Sequence, residues 1–286
     1  MKVLVVNGLS ALLGGGQTNL INLMKALSSY KCNVIFIVNS ANVDIFLKFE
    51  CRNISLVRSD FASKSLLHRV FWEIFILPYK LHAWGATVYY APGGIMMTKT
   101  PADCVSITTL QNMLPFNDKE RQRYPSFSFT RFKLFLLKFV FLKSYDLADK
   151  IIFISKYSRD VVLKIRPEIA LKSTIIPLGV NDIFRERAKV FDLPEGLIAG
   201  EFYLYVSHLD YYKAQKELVL SWKVLIDSGF YYPLVLVGPT VNEYGREVVA
   251  LINKLNLQDH VIWLGKIEYE KLPDIYQASR ALIFAS

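Results

Sequence analysis

The sequence predicts an α/β protein built from two doubly wound parallel-sheet domains, the second of them incomplete. Short apolar runs rich in Val, Ile and aromatics alternate with stretches of helical period, the pattern of strand-helix units around a parallel sheet. At 286 residues, 52% of them apolar, the chain is too long for one ordinary domain and apolar enough to bury a sizeable core. The series also restarts at Glu201, after a connection carrying Gly179, Pro194 and Gly196. The domains are therefore drawn at residues 1–180 and 201–286, with 181–200 between them.

The first series begins at Lys2–Asn7, whose apolar run is too short for a signal peptide and reads as a buried strand. Further strands are expected at Asn33–Val38, Ile54–Val57, Thr87–Ala91, Cys104–Thr109, Lys150–Ile154 and Ser173–Pro177. Helices are expected at Thr18–Ser28 after a glycine run, at the long aromatic stretch Leu66–Trp84, and at Thr130–Leu147, where cations interrupt large apolar residues. The second series reads strand Phe202–Ser207, helix Ala214–Ser228, strand Leu234–Val237, helix Glu243–Leu255, strand Val261–Leu264, helix Tyr269–Ser279 and strand Ala281–Ala285. An open doubly wound domain has about five or six strands, with its ligand crevice at their C-terminal ends, so the stop at Ser286 implies a missing C-terminal portion.

Composition narrows the function classes. An aromatic content of 14% with only 21% charged residues excludes a disordered chain. Three cysteines, Cys32, Cys51 and Cys104, without C-x-x-C spacing, argue against a disulfide framework and a zinc site and for a reducing, cytoplasmic setting. The net charge of +9 is uneven: residues 1–180 hold 23 Lys+Arg against 11 Asp+Glu, residues 181–286 hold 11 against 14. A basic first domain fits nucleic acid, an anionic bilayer or a phosphorylated substrate.

Gly14, Gly15 and Gly16 follow the first strand and open a helix, where glycines let a ligand approach the backbone. Without G-x-G-x-x-G spacing the run reads as a phosphate- or sugar-binding loop ahead of a plain connection or a dinucleotide site. In Tyr205-Val206-Ser207-His208-Leu209-Asp210-Tyr211-Tyr212-Lys213-Ala214-Gln215 a strand ends in a polar turn with Lys213 at the mouth of the next helix.

That segment resembles the first strand-loop-helix of the C-terminal domain in glycosyltransferase family four, which has a basic residue, four intervening residues and then lysine. The resemblance implies a GT-B fold, two Rossmann-like domains, and a retaining transferase in which both cations bind the diphosphate of a nucleotide-sugar donor. Lys213 matches the lysine; His208 stands where arginine is commoner, and imidazole is only partly protonated at neutral pH. Other segments follow in the family's order. Gly85–Gly94 resembles the strand and turn facing the acceptor, Ile151–Ser158 the last strand of the first domain, and Ile176–Asn181 the hinge. Leu234–Pro239 and Val261–Lys266, with Gly238 and Gly265, resemble the strand ends that hold the nucleotide. Gln111 begins a segment where the family often has histidine; glutamine can contact a sugar but cannot act as a base. The family's pair of glutamates would fall after Ser286, and Glu243 with Glu247 and Glu268 with Glu270 read as solvated surface carboxylates.

The resemblance implies no metal cofactor, since no Asp-x-Asp motif occurs. It implies a glycan or lipid-linked acceptor in bacterial surface polysaccharide (lipopolysaccharide O-antigen or capsule) synthesis. Cations from Arg121 to Lys143 interleave with aromatic residues, which fits an anionic membrane surface, peripheral on the inner face, as well as a core helix with a charged outer face. Nucleic acid ranks below both, no such module being recognisable. The alternatives are an inactive truncated module and another two-Rossmann enzyme, such as a nucleotide-sugar epimerase.

Overall fold

The computed structural model describes residues 2–12, 14–186 and 193–285. Part of the connection expected at 181–200, namely residues 187–192, and the chain end at Ser286 lie outside the described residues. The chain divides into two compact units, Met1–Asp118 with Phe127–Gly179, and Lys119–Ser126 with Val180–Ser286.

The first unit carries seven strands: β1 (Val3–Asn7), β2 (Asn33–Val38), β3 (Ile54–Arg58), β4 (Val88–Ala91), β5 (Val105–Leu110), β6 (Lys150–Phe153) and β7 (Ser173–Ile175). They form one sheet in the order β3-β2-β1-β4-β5-β6-β7, every pairing parallel. Neighbouring β2 residues serve different cores. Phe36 belongs to the core with Leu20 and Met24 on one face and Ile37 to the core that also holds Trp72, Leu81 and Tyr145 on the other, because successive side chains alternate across a sheet. Asp149 ties β6 to β5, its carboxylate accepting from the Ser106 amide at 2.8 Å and hydroxyl at 2.7 Å.

The helices of this unit are α1 (Gly14–Leu27), α2 (Val43–Leu47), α3 (Asp60–Ser63), α4 (Leu66–Phe71), α5 (Leu77–Ala83), α6 (Asp118–Gln122), which runs on into the second unit's segment, α7 (Phe129–Leu147) and α8 (Lys156–Leu163). Two differ from expectation. The glycine run is not a loop before the helix: Gly14, Gly15 and Gly16 are the first turn of α1, with open space beside all three, so nothing steric opposes helix there. The helix expected at Leu66–Trp84 runs without interruption from Leu66 to Ala83 but is not regular, a π turn at Trp72–Ile76 joining α4 to α5. Pro78 explains the π turn: it has no amide to give the carbonyl of Ile74 four residues back, its ring crowds that carbonyl, and the turn before it widens. Serine caps set the starts of α7 and α8, Ser128 accepting from the Arg131 amide and Ser155 exchanging hydrogen bonds with Ser158.

The second unit repeats the pattern with β8 (Tyr203–Val206), α9 (Gln215–Asp227), β9 (Leu234–Val237), α10 (Glu243–Lys254), β10 (Val261–Trp263), α11 (Leu272–Ala278) and β11 (Ala281–Leu282). Its sheet order is β10-β9-β8-β11, again parallel throughout. All four β9 residues are buried, Leu234 and Leu236 against Trp222 and Val248, Val235 and Val237 against Ile275 and Ala278. Both units are thus Rossmann-like, as the sequence predicted. The last strand is shorter than the expected Ala281–Ala285, pairing only through Ala281 and Leu282.

Candidate functional site

Each sheet reverses its strand order once, and in doubly wound sheets ligands bind beyond the strand C-termini at such a reversal. In the second unit the reversal lies between β8 and β11. The loop leaving β8 there carries His208, Asp210 and Lys213, and Phe284 lies just past β11.

The loop is tightly determined. Asp210 opens a single 3-10 turn at Tyr211–Lys213, its Oδ1 accepting from the Tyr211 amide and from Asn242 Nδ2, both at 2.8 Å. The buried Tyr205 hydroxyl donates to the Lys213 carbonyl at 2.6 Å. Ala214 then adopts the left-handed conformation, φ 56°, which costs a residue with a Cβ about 1 kcal/mol, before α9 starts at Gln215. Ala214 offers no capping side chain; the Tyr244 hydroxyl accepts from the Lys216 amide at 2.9 Å instead, and the positive end of the α9 dipole follows Lys213. The ammonium of Lys213 lies 4.7 Å from the Tyr212 ring centre and 4.8 Å from that of Phe284, and Phe284 stacks on Tyr205 at 5.5 Å.

His208 sits across the turn. Its Nε2 is 3.2 Å from the Tyr212 hydroxyl and 3.8 Å from an Asp210 oxygen, and the fully buried Gln215 donates to its carbonyl at 3.0 Å. Burial lowers the His208 pKa, with the Lys213 charge adding to it against Asp210, so the imidazole is neutral at pH 7. Burial lowers the Lys213 pKa as well, opposed by Asp210. The cationic pair implied by the family pattern is here one ammonium and one neutral imidazole.

Gly238 and Gly265 belong to the same set of strand ends. Gly238 has φ 143°, and a Cβ on it would come 2.1 Å from the Ser207 carbonyl oxygen, so only glycine lets the β8 and β9 loops approach. Its amide donates to the Gly265 carbonyl at 2.7 Å, and Trp263 Nε1 donates to the Gly238 carbonyl at 3.0 Å.

In the first unit the reversal lies between β1 and β4. Gly14–Gly16 follow β1, and Gln111 follows β5, one strand beyond β4. A buried polar chain holds this edge. Asn7 accepts from the Leu9 amide at 3.2 Å and donates to Tyr89 at 2.9 Å and to Glu73 at 3.2 Å, while Arg69 donates to the same Glu73 oxygen at 2.9 Å. Burial, with Glu73 adding to it, pushes the Tyr89 pKa up, so that hydroxyl stays protonated. The structure therefore groups His208, Lys213, Gly238 and Gly265 in one unit and sets Gln111 and the glycines at two strand ends of the other. Sequence reasoning passed over Asp210, Tyr212 and Phe284. Asp210 and Tyr212 lay inside the motif already singled out, and the reversal rule leads to Phe284 once the strand order is known.

Residues 198–286 match the model of the family described as glycosyl transferases group 1. No curated protein matches the chain. Among solved structures it resembles a glycosyltransferase from Rickettsia africae, with 16% identity over 100% of this chain and 73% of that one, at a TM-score of 0.69. It also resembles Anabaena HepE in complex with UDP and glucose, with 15% identity, 100% and 74% coverage and a TM-score of 0.67. A UDP-N-acetylglucosamine 2-epimerase from Rickettsia bellii follows, with 12% identity, 99% and 73% coverage and a TM-score of 0.56. These likenesses show that the chain has a GT-B fold, made of two Rossmann-like units.

Proposed function

We propose that the protein is a retaining glycosyltransferase that takes a sugar from a nucleotide-sugar donor and passes it to a glycan or lipid-linked acceptor in surface polysaccharide synthesis. The observation that carries the proposal is Lys213, an ammonium held by two aromatic rings at the strand reversal of the second unit, beside the first turn of α9. A diphosphate seated there meets a fixed cation and helix amides without the reorganisation that water would require. As the glycosidic bond breaks, charge grows on the departing diphosphate, and both groups stabilise it more in the transition state than in the ground state. No metal enters this reading, because Lys213 and the α9 amides meet the phosphate charge. Gly238 and Gly265 shape the nucleotide side, Gly14–Gly16 the acceptor side, and Gln111 hydrogen-bonds sugar or acceptor hydroxyls. Since glutamine takes no proton, the acceptor proton passes to the leaving phosphate in a front-face reaction. The likeness to HepE bound to UDP and glucose makes uridine diphosphate sugars the first donors to try.

The test is calorimetric binding and UDP release with a panel of uridine diphosphate sugars, on the protein and on Lys213→Ala. Binding that weakens in the variant, with turnover falling roughly a hundredfold or more, is expected. No binding across sugar nucleotides, or a variant indistinguishable from the parent, would sink the reading. The likeness to the Rickettsia bellii epimerase favours one rival, an epimerase on the same fold, which would interconvert sugar nucleotides with no acceptor present.

A further inference from the structure

The first unit carries an apolar surface that donor chemistry does not use. A helix lying on a sheet should turn its second side to water with polar residues. On α7 the inner side is filled by Leu134, Phe141, Leu142 and Tyr145, yet the outer side holds a second stripe, Phe129, Phe132, Leu136 and Phe139, spaced three or four residues apart and all exposed. Phe127, just before the helix, is wholly exposed at 103%. The stretch from α4 to α5 repeats the pattern: Trp72, Leu77 and Leu81 face the core, while Leu67, Phe71, Phe75 and Tyr79 are exposed at intervals of four, Leu67 at 80%.

The two stripes belong to one layer. Both helices cover the same core on the same side of the sheet, and the loop between β4 and β5 links them, Met96 donating to Ser144 of α7 and Thr98 to the Glu73 carbonyl in the π turn. Their charge is mostly of one sign, the exception on α7 being the exposed Asp146 in its last turn, 3.9 Å from Arg166. No Asp or Glu occurs from Arg121 to Tyr145, and from Phe61 to Ala102 the one acidic residue, Glu73, is buried. Lys64, Lys133 and Lys143 stand exposed among the aromatics. A docking surface for another protein would ordinarily mix the signs of its rim more evenly; aromatic stripes interspersed with exposed lysines complement a sheet of anionic headgroups over hydrocarbon.

We infer that this layer of the first unit docks on an anionic bilayer, laying the α4–α5 and α7 stripes into the interface with Lys64, Lys133 and Lys143 among the headgroups. The protein lies on the membrane by this contact: among the described residues no helix is long and apolar enough to cross one. The inference goes beyond the donor site and stands whether or not a sugar is transferred.

Flotation of the full chain, without nucleotide, with vesicles of phosphatidylcholine alone and of phosphatidylcholine mixed with phosphatidylglycerol tests it. Binding to the anionic vesicles and its loss in high salt are expected. Lys133→Ala with Lys143→Ala should lower the partition coefficient roughly fivefold for each lysine removed. Phe132→Ala with Phe139→Ala, and separately Leu67→Ala with Phe71→Ala, should each lower it roughly tenfold through lost apolar contact. All these positions are exposed, and far-ultraviolet circular dichroism checks that the variants fold. No binding to anionic vesicles, or binding that both aromatic pairs leave unchanged, overturns the inference. So does a self-associated protein that the aromatic variants convert to monomer, which would give the layer to a second copy of the chain.

Discussion

At the residue scale the site turns on the difference between His208 and an arginine. Burial beside Lys213 keeps the imidazole neutral at pH 7, so in the proposed donor site it would meet a diphosphate as a hydrogen-bonding group and not as a charge. Binding an anion favours its protonation, so donor affinity should rise as pH falls from about 8 to about 6. Stability runs the other way. A histidine with a lowered folded pKa takes its proton more readily when unfolded, so its contribution is full above the ordinary histidine pKa and is lost as pH falls toward the folded one. His208→Arg supplies a permanent cation and should tighten donor binding at pH 8 while flattening the pH profile. Calorimetric titration at three pH values measures both, and an unchanged slope would show that His208 does not touch the diphosphate. Lys213 and His208 were legible because they lie in one short segment. Asn242 was not, since its contact with Asp210 depends on how the loop after β9 comes back, which no local pattern records.

At the element scale the chain announced its strands more clearly than its helices. A buried parallel strand is an apolar run bounded by turn residues, and all seven of the first sheet were readable on that basis. Short helices such as α2, α3 and α8 carry too few turns for a period to emerge, and the cap of α8 uses Ser158 where the familiar signature has Glu or Gln. Apolar spacing runs on through Leu66–Trp84 while the backbone changes at Pro78, because period reports which face is buried and not which hydrogen bonds are made. The first turn of α1 offers a test. Gly15 and Gly16 are helical, lack a positive φ and have open space where a Cβ would go. Gly15→Ala and Gly16→Ala should each stabilise the first unit by up to about 1 kcal/mol, the propensity difference between glycine and alanine. Urea unfolding would read this as a higher midpoint at constant slope; a lower midpoint would mean that these glycines leave the helix in solution.

At the scale of the whole molecule, two sheets with separate cores and unlike charge balance carry the two surfaces proposed here for binding. The first unit has an excess of 10 positive charges and the outer aromatic layer; the second has an excess of one negative charge and holds Lys213. The charge split was countable from the sequence alone. The apolar layer was not, because an aromatic residue in a helical period reads as core until its neighbours are known; the stretch Arg121 to Lys143 therefore fitted a membrane face and a packed helix equally well. The division has a thermodynamic consequence. A ligand stabilises the unit that binds it, by about 2.7 kcal/mol at a hundred times its dissociation constant. In scanning calorimetry a bound uridine diphosphate sugar should raise the unfolding transition of the second unit by about 10 °C and leave that of the first in place. Anionic vesicles should act on the first transition alone. A single transition moved as a whole by either ligand would show that the units unfold as one, and the two binding surfaces would then be linked through the stability of the entire chain rather than held apart on separate cores.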